Sequence, residues 1–440
     1  MPGACGGTLM SAPQDLAAEA VARAKKAGAD EAQAAAARTS YFEIDYSSRR
    51  ASLARSVDSL RIDLTVFRAG KRGSASLTGA RGADLDEAVA AALAAAEAGV
   101  PDPANGVAEG FDSLATDYGP ERPDRAAMSA AMTEFGAALA EQHPKIVTDG
   151  ALYAFTDAET GFANSRGLRH VTRRGVHSFG LMFAARDAGR TTSFNHTGWQ
   201  RFEPCADLLA SGSLRRLLDE AALSLDTKPA PQKFVGDLIL TPDAADTLIG
   251  PLAGALSGHA LFAGTSPFKD KRGALVAPPC FSLLNRPRGA TFAGGADFDS
   301  YGAPTQDLDV IRGGVLNEFL VDFFMARKLE RPQTAGAQNF VVPGGDKALS
   351  DIVAGVKRGV LLARFSGGIP NSALDFAGVA KNSFYIEDGE IRGALSETMV
   401  SGNLQELLRQ IYAVSRETVD FGSCRYPYIA TSGALISPAP

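Results

Sequence analysis

The sequence predicts an α+β protein, in which helices and strands are segregated, and three features support this prediction. The first half carries alanine-rich segments with helical spacing between segments that alternate apolar and polar residues. The second half is dominated by strand patterns, and strict strand–helix–strand alternation is absent. We therefore predict an N-terminal α/β domain with alanine-rich helices on a mixed sheet, followed by a strand-rich C-terminal domain with a few helices.

The length of 440 residues exceeds that of one ordinary domain of roughly 100–200 residues. Hydrophobic residues make up 45% of the chain and charged residues 21%, a balance typical of globular proteins rather than disordered ones. A proline-rich stretch at Lys228–Gln232 marks a boundary between two predicted domains, 12–230 and 231–440.

The N-terminal elements follow from periodicity and from breaking residues. A first helix is predicted over Ala12–Ala37, because Leu16, Val21 and several alanines recur at helical spacing. Alternation then predicts a strand at Tyr41–Tyr46 and a hairpin that turns at Ala69-Gly70. The remaining predicted features are the hairpin arms Ser59–Arg68 and Gly73–Leu77, helix Asp84–Ala98, an exposed connection at 100–123, helix Ala126–Gln142, strands from Ile146 to Trp199 with turns at Thr156–Gly161 and Asp187–Arg190, and helix Cys205–Leu225.

The C-terminal half begins with a strand at Phe234–Leu240, followed by a helix over Asp243–Ala260 that starts at Thr241-Pro242. The other predicted elements are strands Leu275–Leu284, Asp309–Arg312 and Val360–Phe365, helices Asn317–Leu329 and Asn403–Arg416, and the hairpin Phe384–Glu387 with Glu390–Ala394. Apolar residues at Phe319, Leu320, Phe323 and Phe324 surround one of these helices. Part of that cluster must be core, and the rest is expected to support association with a partner or with a second copy.

Charge and composition exclude several classes of protein. Forty-four basic and fifty acidic residues give a net charge of -6, which argues against nucleic-acid binding. No run approaches the ~20 apolar residues that a transmembrane helix needs, and the N-terminus lacks the pattern of a signal peptide. The four cysteines, Cys5, Cys205, Cys280 and Cys424, form no C-x-x-C pair, which is typical of reduced thiols in a cytoplasmic protein.

Several catalytic signatures are missing, including the P-loop, the dinucleotide-binding glycine motif, the G-x-S-x-G elbow and the H-E-x-x-H helix. Among the five histidines, His177 shares strand parity with apolar residues and is expected in the core. His170 is expected in solvent, and His196 has polar neighbours and could line a groove. His259, near the end of the predicted helix Asp243–Ala260, is the candidate of most interest.

Five stretches of the C-terminal half stand out: Gly258-His259, Phe298-Asp299-Ser300-Tyr301-Gly302-Ala303-Pro304-Thr305, Ile311-Arg312-Gly313-Gly314-Val315-Leu316, the run Asp375–Glu390, and Ser401-Gly402-Asn403-Leu404. In this order and spacing they resemble the TldD/PmbA family of heteromeric bacterial metalloproteases. The resemblance is strongest over 234–437 and weaker over 12–230.

The resemblance implies where a metal site would lie. In the active TldD subunits a helix carries H-E-x-x-x-H, and a cysteine near the C-terminus adds a ligand. Catalytic zinc takes about three protein ligands and needs a base for its bound water. Aligning His259 with the last histidine puts Gly254 at the first histidine and Ala255 at the glutamate, while Cys424 lies in the region of the cysteine. We therefore expect no catalytic, cofactor-binding or metal-binding residues, with His259 and Cys424 as remnant candidates.

The resemblance also implies a function. We expect a cytoplasmic, non-catalytic TldE/PmbA-like subunit of a TldD/TldE-type zinc metalloprotease, which acts on unfolded or leader peptides. Zinc would be held by the TldD-like partner, and strand edges would hold extended peptides by β-augmentation. Two alternatives remain open: a metallopeptidase in its own right with an atypical site at His259 and Cys424, and a peptide-binding homodimeric scaffold without catalysis.

Overall fold

The computed structural model describes residues 11–438, apart from 48–49, 80–81, 335, 337, 368 and 397. It contains 22% helix and 42% strand, which confirms the α+β prediction. The helices are α1 Pro13–Lys26, α2 Gly82–Ala98, α3 Arg125–Gln142, α4 Leu214–Leu223, α5 Asp246–Ala255, α6 Gly258–Phe262, α7 Phe323–Leu329, α8 Leu349–Ala354 and α9 Leu404–Arg409.

The strands belong to two sheets. Those of the N-terminal sheet region are β1 Glu31–Ser47, β2 Arg50–Arg68, β3 Lys71–Thr78, β4 Ala115–Tyr118, β5 Ile146–Asn164, β6 Arg169–Asp187, β7 Arg190–Thr191 and β8 Asn195–Arg201. Those of the C-terminal sheet are β9 Thr227–Lys228, β10 Phe234–Leu240, β11 Leu283–Asn285, β12 Leu308–Arg312, β13 Val315–Leu316, β14 Phe340–Val341, β15 Arg358–Leu362, β16 Arg364–Gly367, β17 Asp375–Lys381, β18 Phe384–Glu387, β19 Glu390–Leu395, β20 Thr398–Asn403, β21 Ile411–Asp420 and β22 Arg425–Pro438.

The N-terminal sheet has the order β3-β2-β1-β5-β6-β4, and β8 pairs with another part of β6. It is mixed, as predicted, because β4 runs parallel to β6 while the long central strands are antiparallel. One face packs against helices along its length: α1 and α2 cover one end, and α3 and α4 cover the other.

The alanine-rich segment after α1 was predicted as helix, and this prediction was wrong beyond Lys26. Gly28 adopts a positive φ of 99°, and Ala29 N–H donates to Ala24 O, so the helix ends in a glycine turn. The alanines at 32, 34 and 36 lie in β1 and are buried beneath α1 and α2. Packing of a strand against two helices therefore overrides helix propensity here.

The turn predicted at Thr156–Gly161 was also wrong, since β5 runs unbroken through it. Gly161 lies directly beneath the start of α1, where an added Cβ would stand 2.2 Å from the backbone nitrogen of Gln14. A glycine inside a strand marks this close approach of another backbone rather than a turn. Segment 100–123, predicted as an exposed connection, contributes β4 and buries Val107 and Ala108.

In the C-terminal sheet, β10 is central: it pairs parallel with β15 and antiparallel with β22. The predicted boundary at 230/231 falls between β9 and β10. Although β9 precedes this boundary, it pairs with β19 at the edge of the C-terminal sheet. The helices predicted over Cys205–Leu225, Asn317–Leu329 and Asn403–Arg416 are shortened to α4, α7 and α9, and the last continues as strand β21. Within the described residues, no helix combines the length and the apolar character needed to cross a membrane.

The Phe298–Thr305 motif packs the C-terminal half against the N-terminal sheet. Phe298 stacks on His170 with ring centroids 4.6 Å apart, and the His170 Nε2 atom lies 2.7 Å from the Gly302 carbonyl oxygen. His170 is fully buried, so its expected position in solvent was wrong. His177 is buried in the core, as expected.

Candidate functional site

The helix predicted over Asp243–Ala260 is two helices, and the break changes the place of His259. α5 ends at Ala255, and Ser257 adopts an extended conformation and caps α6 by accepting a hydrogen bond from Ala260 N–H. Gly258 N–H donates to Leu320 O, and an added Cβ at Gly258 would stand 2.6 Å from Met325 Cβ. Close packing against α7 therefore turns the chain out of α5.

His259 lies at the surface of the molecule. It is in the first turn of α6, not at the end of a long helix, and its side chain is 70% exposed. Its Nε2 atom lies 4.0 Å from the Asp322 carboxylate, which caps α7 by accepting from Met325 N–H. An exposed pair at this distance contributes little stability.

Cys424 occupies the turn between β21 and β22. Phe421 N–H donates to the Cys424 carbonyl oxygen, and Gly422 has a positive φ of 76° at a point where an added Cβ would collide with Gln200 O. Burial raises the pKa of the Cys424 thiol to about 11, while hydrogen bonds with Ser423 and Tyr426 act in the opposite direction. The thiol is therefore neutral at physiological pH and is a poor nucleophile.

The cavity beside Cys424 has a volume of about 250 Å³ and lies between β8, the start of α5 and the β21–β22 turn. We call it the Cys424 cavity. Its lining residues are Asn195, His196, Thr197, Gly198, Pro242, Asp243, Asp246, Ala363, Arg364, Phe421, Ser423, Cys424 and Tyr426. His196, which on sequence grounds could line a groove, lies in the wall of this cavity, and the cavity is lined by residues from both halves of the chain.

His259 and Cys424 are not brought together. The Tyr426 hydroxyl, beside Cys424, donates to the Asp246 carboxylate over 3.4 Å at the first residue of α5. His259 comes four residues after Ala255, the last residue of this ten-residue helix, which is roughly 15 Å long. The two remnant candidates thus lie towards opposite ends of α5, too far apart to ligate one ion.

The donor set needed for zinc is incomplete in the part of the chain that the structure describes. There, no three His, Cys, Asp or Glu side chains are grouped so that they could hold one metal ion. Gly254 and Ala255, assigned to the ligand and base positions, supply no metal-binding or basic side chain. The residues of this chain therefore do not fit a catalytic zinc ion at the expected place.

A partly buried ionic cluster joins α4 to the start of the C-terminal half beside the cavity. The Arg216 guanidinium pairs with Glu220 at 2.7 Å and with Asp243, and Asp243 also accepts from the Thr197 hydroxyl at 3.1 Å. Since Asp243 lies three residues before α5, this cluster fixes the beginning of α5 relative to β8. The sequence offered no signal for it beyond the i,i+4 spacing of Arg216 and Glu220.

A second connection, which the sequence analysis missed, holds the segment that leads into β8. The Arg364 guanidinium donates to the Ser193 hydroxyl at 2.6 Å and lies 4.2 Å from the centre of the Phe194 ring. Asn382, in a left-handed conformation with φ of 52°, donates from Nδ2 to the Phe194 carbonyl oxygen at 3.0 Å. Asn382 belongs to the run Asp375–Glu390 that carries the family resemblance, and its role there is to anchor this loop.

Known proteins were compared with the chain at the levels of sequence and fold. A family model described as the PmbA/TldA metallopeptidase C-terminal domain matches residues 234–438. The chain is 26% identical over 392 residues to Metalloprotease PmbA of Escherichia coli O157:H7, covering 84% of this chain and 85% of that protein. It is 25% identical over 396 residues to the Metalloprotease PmbA homolog of Haemophilus influenzae, with the same two coverages.

A solved structure has the same fold along nearly the whole chain. TldE from Thermococcus kodakarensis superposes with a TM-score of 0.81 at 20% sequence identity, covering 96% of this chain and 99% of that one. Fold and sequence together define a PmbA/TldD-type, metallopeptidase-related protein. The predicted resemblance to the TldD/PmbA family is confirmed by the match of residues 234–438, by the similarity in sequence to PmbA proteins and by the fold shared with TldE.

Proposed function

We propose that this chain is a non-catalytic subunit of the PmbA/TldE type, which works in the cytoplasm with a TldD-like zinc metalloprotease subunit on unfolded or leader peptides. The observation that carries the proposal is the separation of His259 from Cys424 along α5, together with the lack of a metal-binding group around either residue in the described chain. A subunit with this arrangement needs a partner to supply the zinc and the base.

The outer edge of β8 supports a role in holding peptide. Gln200 N–H donates to Phe421 O, so the main-chain groups of this residue point away from β6. Along an antiparallel strand the N–H and C=O groups of successive residues point alternately towards and away from the neighbouring strand. The main-chain groups of Gly198 and His196 therefore also point away from β6, on the side of the Cys424 cavity that both residues line. An extended peptide can add to such an edge with main-chain hydrogen bonds that require no particular sequence.

The sheet face next to this edge supports the same role. Opposite the face that carries α3 and α4, side chains that are mostly polar or small cross the sheet; they include Tyr41, Glu43, Thr156, Ser178, Gly180, Gly198 and Gln200. We call this the open sheet face. At its other end this face of the sheet is covered by the Phe298–Thr305 motif, so the uncovered part lies between that motif and the Cys424 cavity. A polar sheet surface of this kind suits one side of a chamber for unfolded chains.

Mixing experiments test the proposal. The purified chain alone should not cleave an unstructured peptide, whereas the chain combined with a TldD-like subunit that carries H-E-x-x-x-H should cleave it. A chelator should abolish that cleavage, because the zinc belongs to the partner. The two subunits should also copurify from cells.

Two outcomes would contradict the proposal. Chelator-resistant cleavage by the isolated chain, lost in Cys424→Ser, would make it a cysteine peptidase. Chelator-sensitive cleavage by the isolated chain, lost in His259→Ala, would make it a metallopeptidase in its own right. An exposed-residue variant such as Arg416→Gln serves as the control in both cases.

A further inference from the structure

Arg364 has no carboxylate partner among the residues that the structure describes. Its guanidinium contacts the Ser193 hydroxyl and the Phe194 ring, and it takes part in none of the ion pairs formed by the described residues. Its Nε atom is buried and has no hydrogen-bond partner. A half-buried cation without an anionic partner is only partly solvated, so it can gain free energy by pairing with an anion.

Asn195 supplies a second free donor in the same cavity. It is 3% exposed, and its Nδ2 atom has no hydrogen-bond partner. Arg364 contacts the side chains of Ser193 and Phe194, the two residues that immediately precede Asn195. Arg364 and Asn195 both line the Cys424 cavity, and a carboxylate, with two acceptor oxygens, is the kind of group that suits two such donors.

We propose that the Cys424 cavity binds a carboxylate of a peptide, held by Arg364 and Asn195. This inference rests on the proposed function, because an extended peptide on the edge of β8 would bring the group there. The cavity of about 250 Å³ has room for about eight water molecules, which suits one amino-acid residue. The carboxylate binds on the Arg364 side, since Asp246 on the side of Tyr426 repels a second anion.

The carboxylate has two possible sources, the C-terminus of a peptide and an acidic side chain. Three N-terminally labelled five-residue peptides of glycine, alanine and serine distinguish them: one with a free C-terminus, one amidated, and one amidated with a central glutamate. Fluorescence anisotropy with the full chain measures the dissociation constant of each. We expect a carboxylate-bearing peptide to bind about tenfold or more tightly than the neutral one, as charge-assisted hydrogen bonds do.

Two variants test the assignment. Arg364→Gln removes the cation, and Asn195→Asp adds a negative charge to the lining of the same cavity, where it competes with a bound carboxylate. Both should erase the preference for carboxylates, whereas Arg416→Gln should retain it. Asn195→Asp keeps the shape of the side chain and adds a charge opposite to that of Arg364 in the same cavity, so it should unfold at a temperature close to that of the original chain. It thereby keeps the test valid if Arg364→Gln fails to fold.

A preference for the peptide with a free C-terminus, for the glutamate peptide, or for both over the neutral peptide supports the inference and identifies the source. Equal binding of all three peptides, binding of none, or a preference that persists in the folded variants overturns it. These results are separate from the mixing experiment: chelator-sensitive cleavage of the amidated peptide by the two subunits would leave the proposed function standing when this inference fails.

Discussion

The Arg174 guanidinium lies 3.0 Å from the Asp297 carboxylate, and both side chains are largely buried where the N-terminal sheet meets the C-terminal half. Asp297 also accepts hydrogen bonds from the Thr116 hydroxyl at 2.9 Å, the Tyr118 hydroxyl at 3.3 Å and the Gly289 N–H at 3.1 Å. One carboxylate therefore connects β4 and β6 to the segment that precedes the Phe298–Thr305 motif.

Asp297→Ala should lower the free energy of unfolding by about 3–5 kcal/mol, because it leaves the Arg174 charge buried without a partner. Chemical denaturation measures the loss. The control is Glu390→Ala, which removes the partner of Arg392 in a pair whose side chains are 45% and 66% exposed and should cost less than about 1 kcal/mol. Equal losses for the two variants would contradict the structural role of the buried pair.

Asp299, in the Phe298–Thr305 motif, should make stability depend on pH. Burial raises the pKa of this carboxyl to about 6, although Tyr301 N–H and Ala303 N–H donate to it. Its contribution is therefore complete below the unfolded pKa of about 3.9 and is lost as the pH rises through about 6. Asp299→Asn keeps an acceptor oxygen and should stabilise the chain by roughly 1–3 kcal/mol at pH 8, with little effect at pH 4.

Denaturation of the two proteins between pH 4 and pH 8 checks this expectation. A difference in unfolding free energy that does not change with pH would show that the carboxyl of Asp299 titrates normally in the folded chain. Asp351→Asn, in the short surface helix α8, is a suitable control because its side chain is exposed.

Cys424 should react slowly with alkylating reagents. Because the pKa of the Cys424 thiol is about 11, the fraction present as thiolate at pH 7.5 is roughly 300-fold lower than that of an ordinary cysteine. The rate of alkylation by iodoacetamide, followed residue by residue by mass spectrometry, should rise steeply between pH 9 and pH 11. Rapid modification at pH 7.5 would instead indicate an activated thiol and would revive the cysteine-peptidase alternative.

The isolated chain should contain far less than one zinc ion per molecule after purification without chelators. The reason is that Gly254 and Ala255 supply no ligand or base, and that His259 is exposed at the other end of α5 from Cys424. Elemental analysis checks the metal content, with His259→Ala and Cys424→Ser expected to give the same value as the original chain. A stoichiometric zinc ion that disappears in either variant would refute this prediction.

The apolar cluster on the predicted helix Asn317–Leu329 gives weaker grounds for association than the sequence suggested. Phe319 and Leu320 are fully buried in the core of the C-terminal half and have no surface to offer a partner. Phe323 and Phe324 are half-buried, and both pack against Tyr301. Association with a TldD-like subunit stays a prediction that copurification would test.

Local signals in the sequence sufficed where one short segment determines its own conformation. The hairpin that turns at Ala69-Gly70 and the hairpin at Asp388-Gly389 form as predicted, because residues with positive φ are needed at those turns. The helices α2 and α3 also form where alanine-rich periodicity placed them, within two residues at each end. The order of the C-terminal motifs was sufficient to indicate the family.

Tertiary contacts decided the rest. The alanines at 32, 34 and 36 lie in a strand because their small side chains pack closely against α1 and α2. Helix α5 ends at Ala255 because Gly258 packs against Met325 on α7. The Cys424 cavity combines residues near 195, 243, 364 and 424, which no spacing in the sequence relates. Composition and local pattern thus determined the fold class and the family, whereas the site depends on contacts between distant segments, whose free energy is realised only when both sheets are in place.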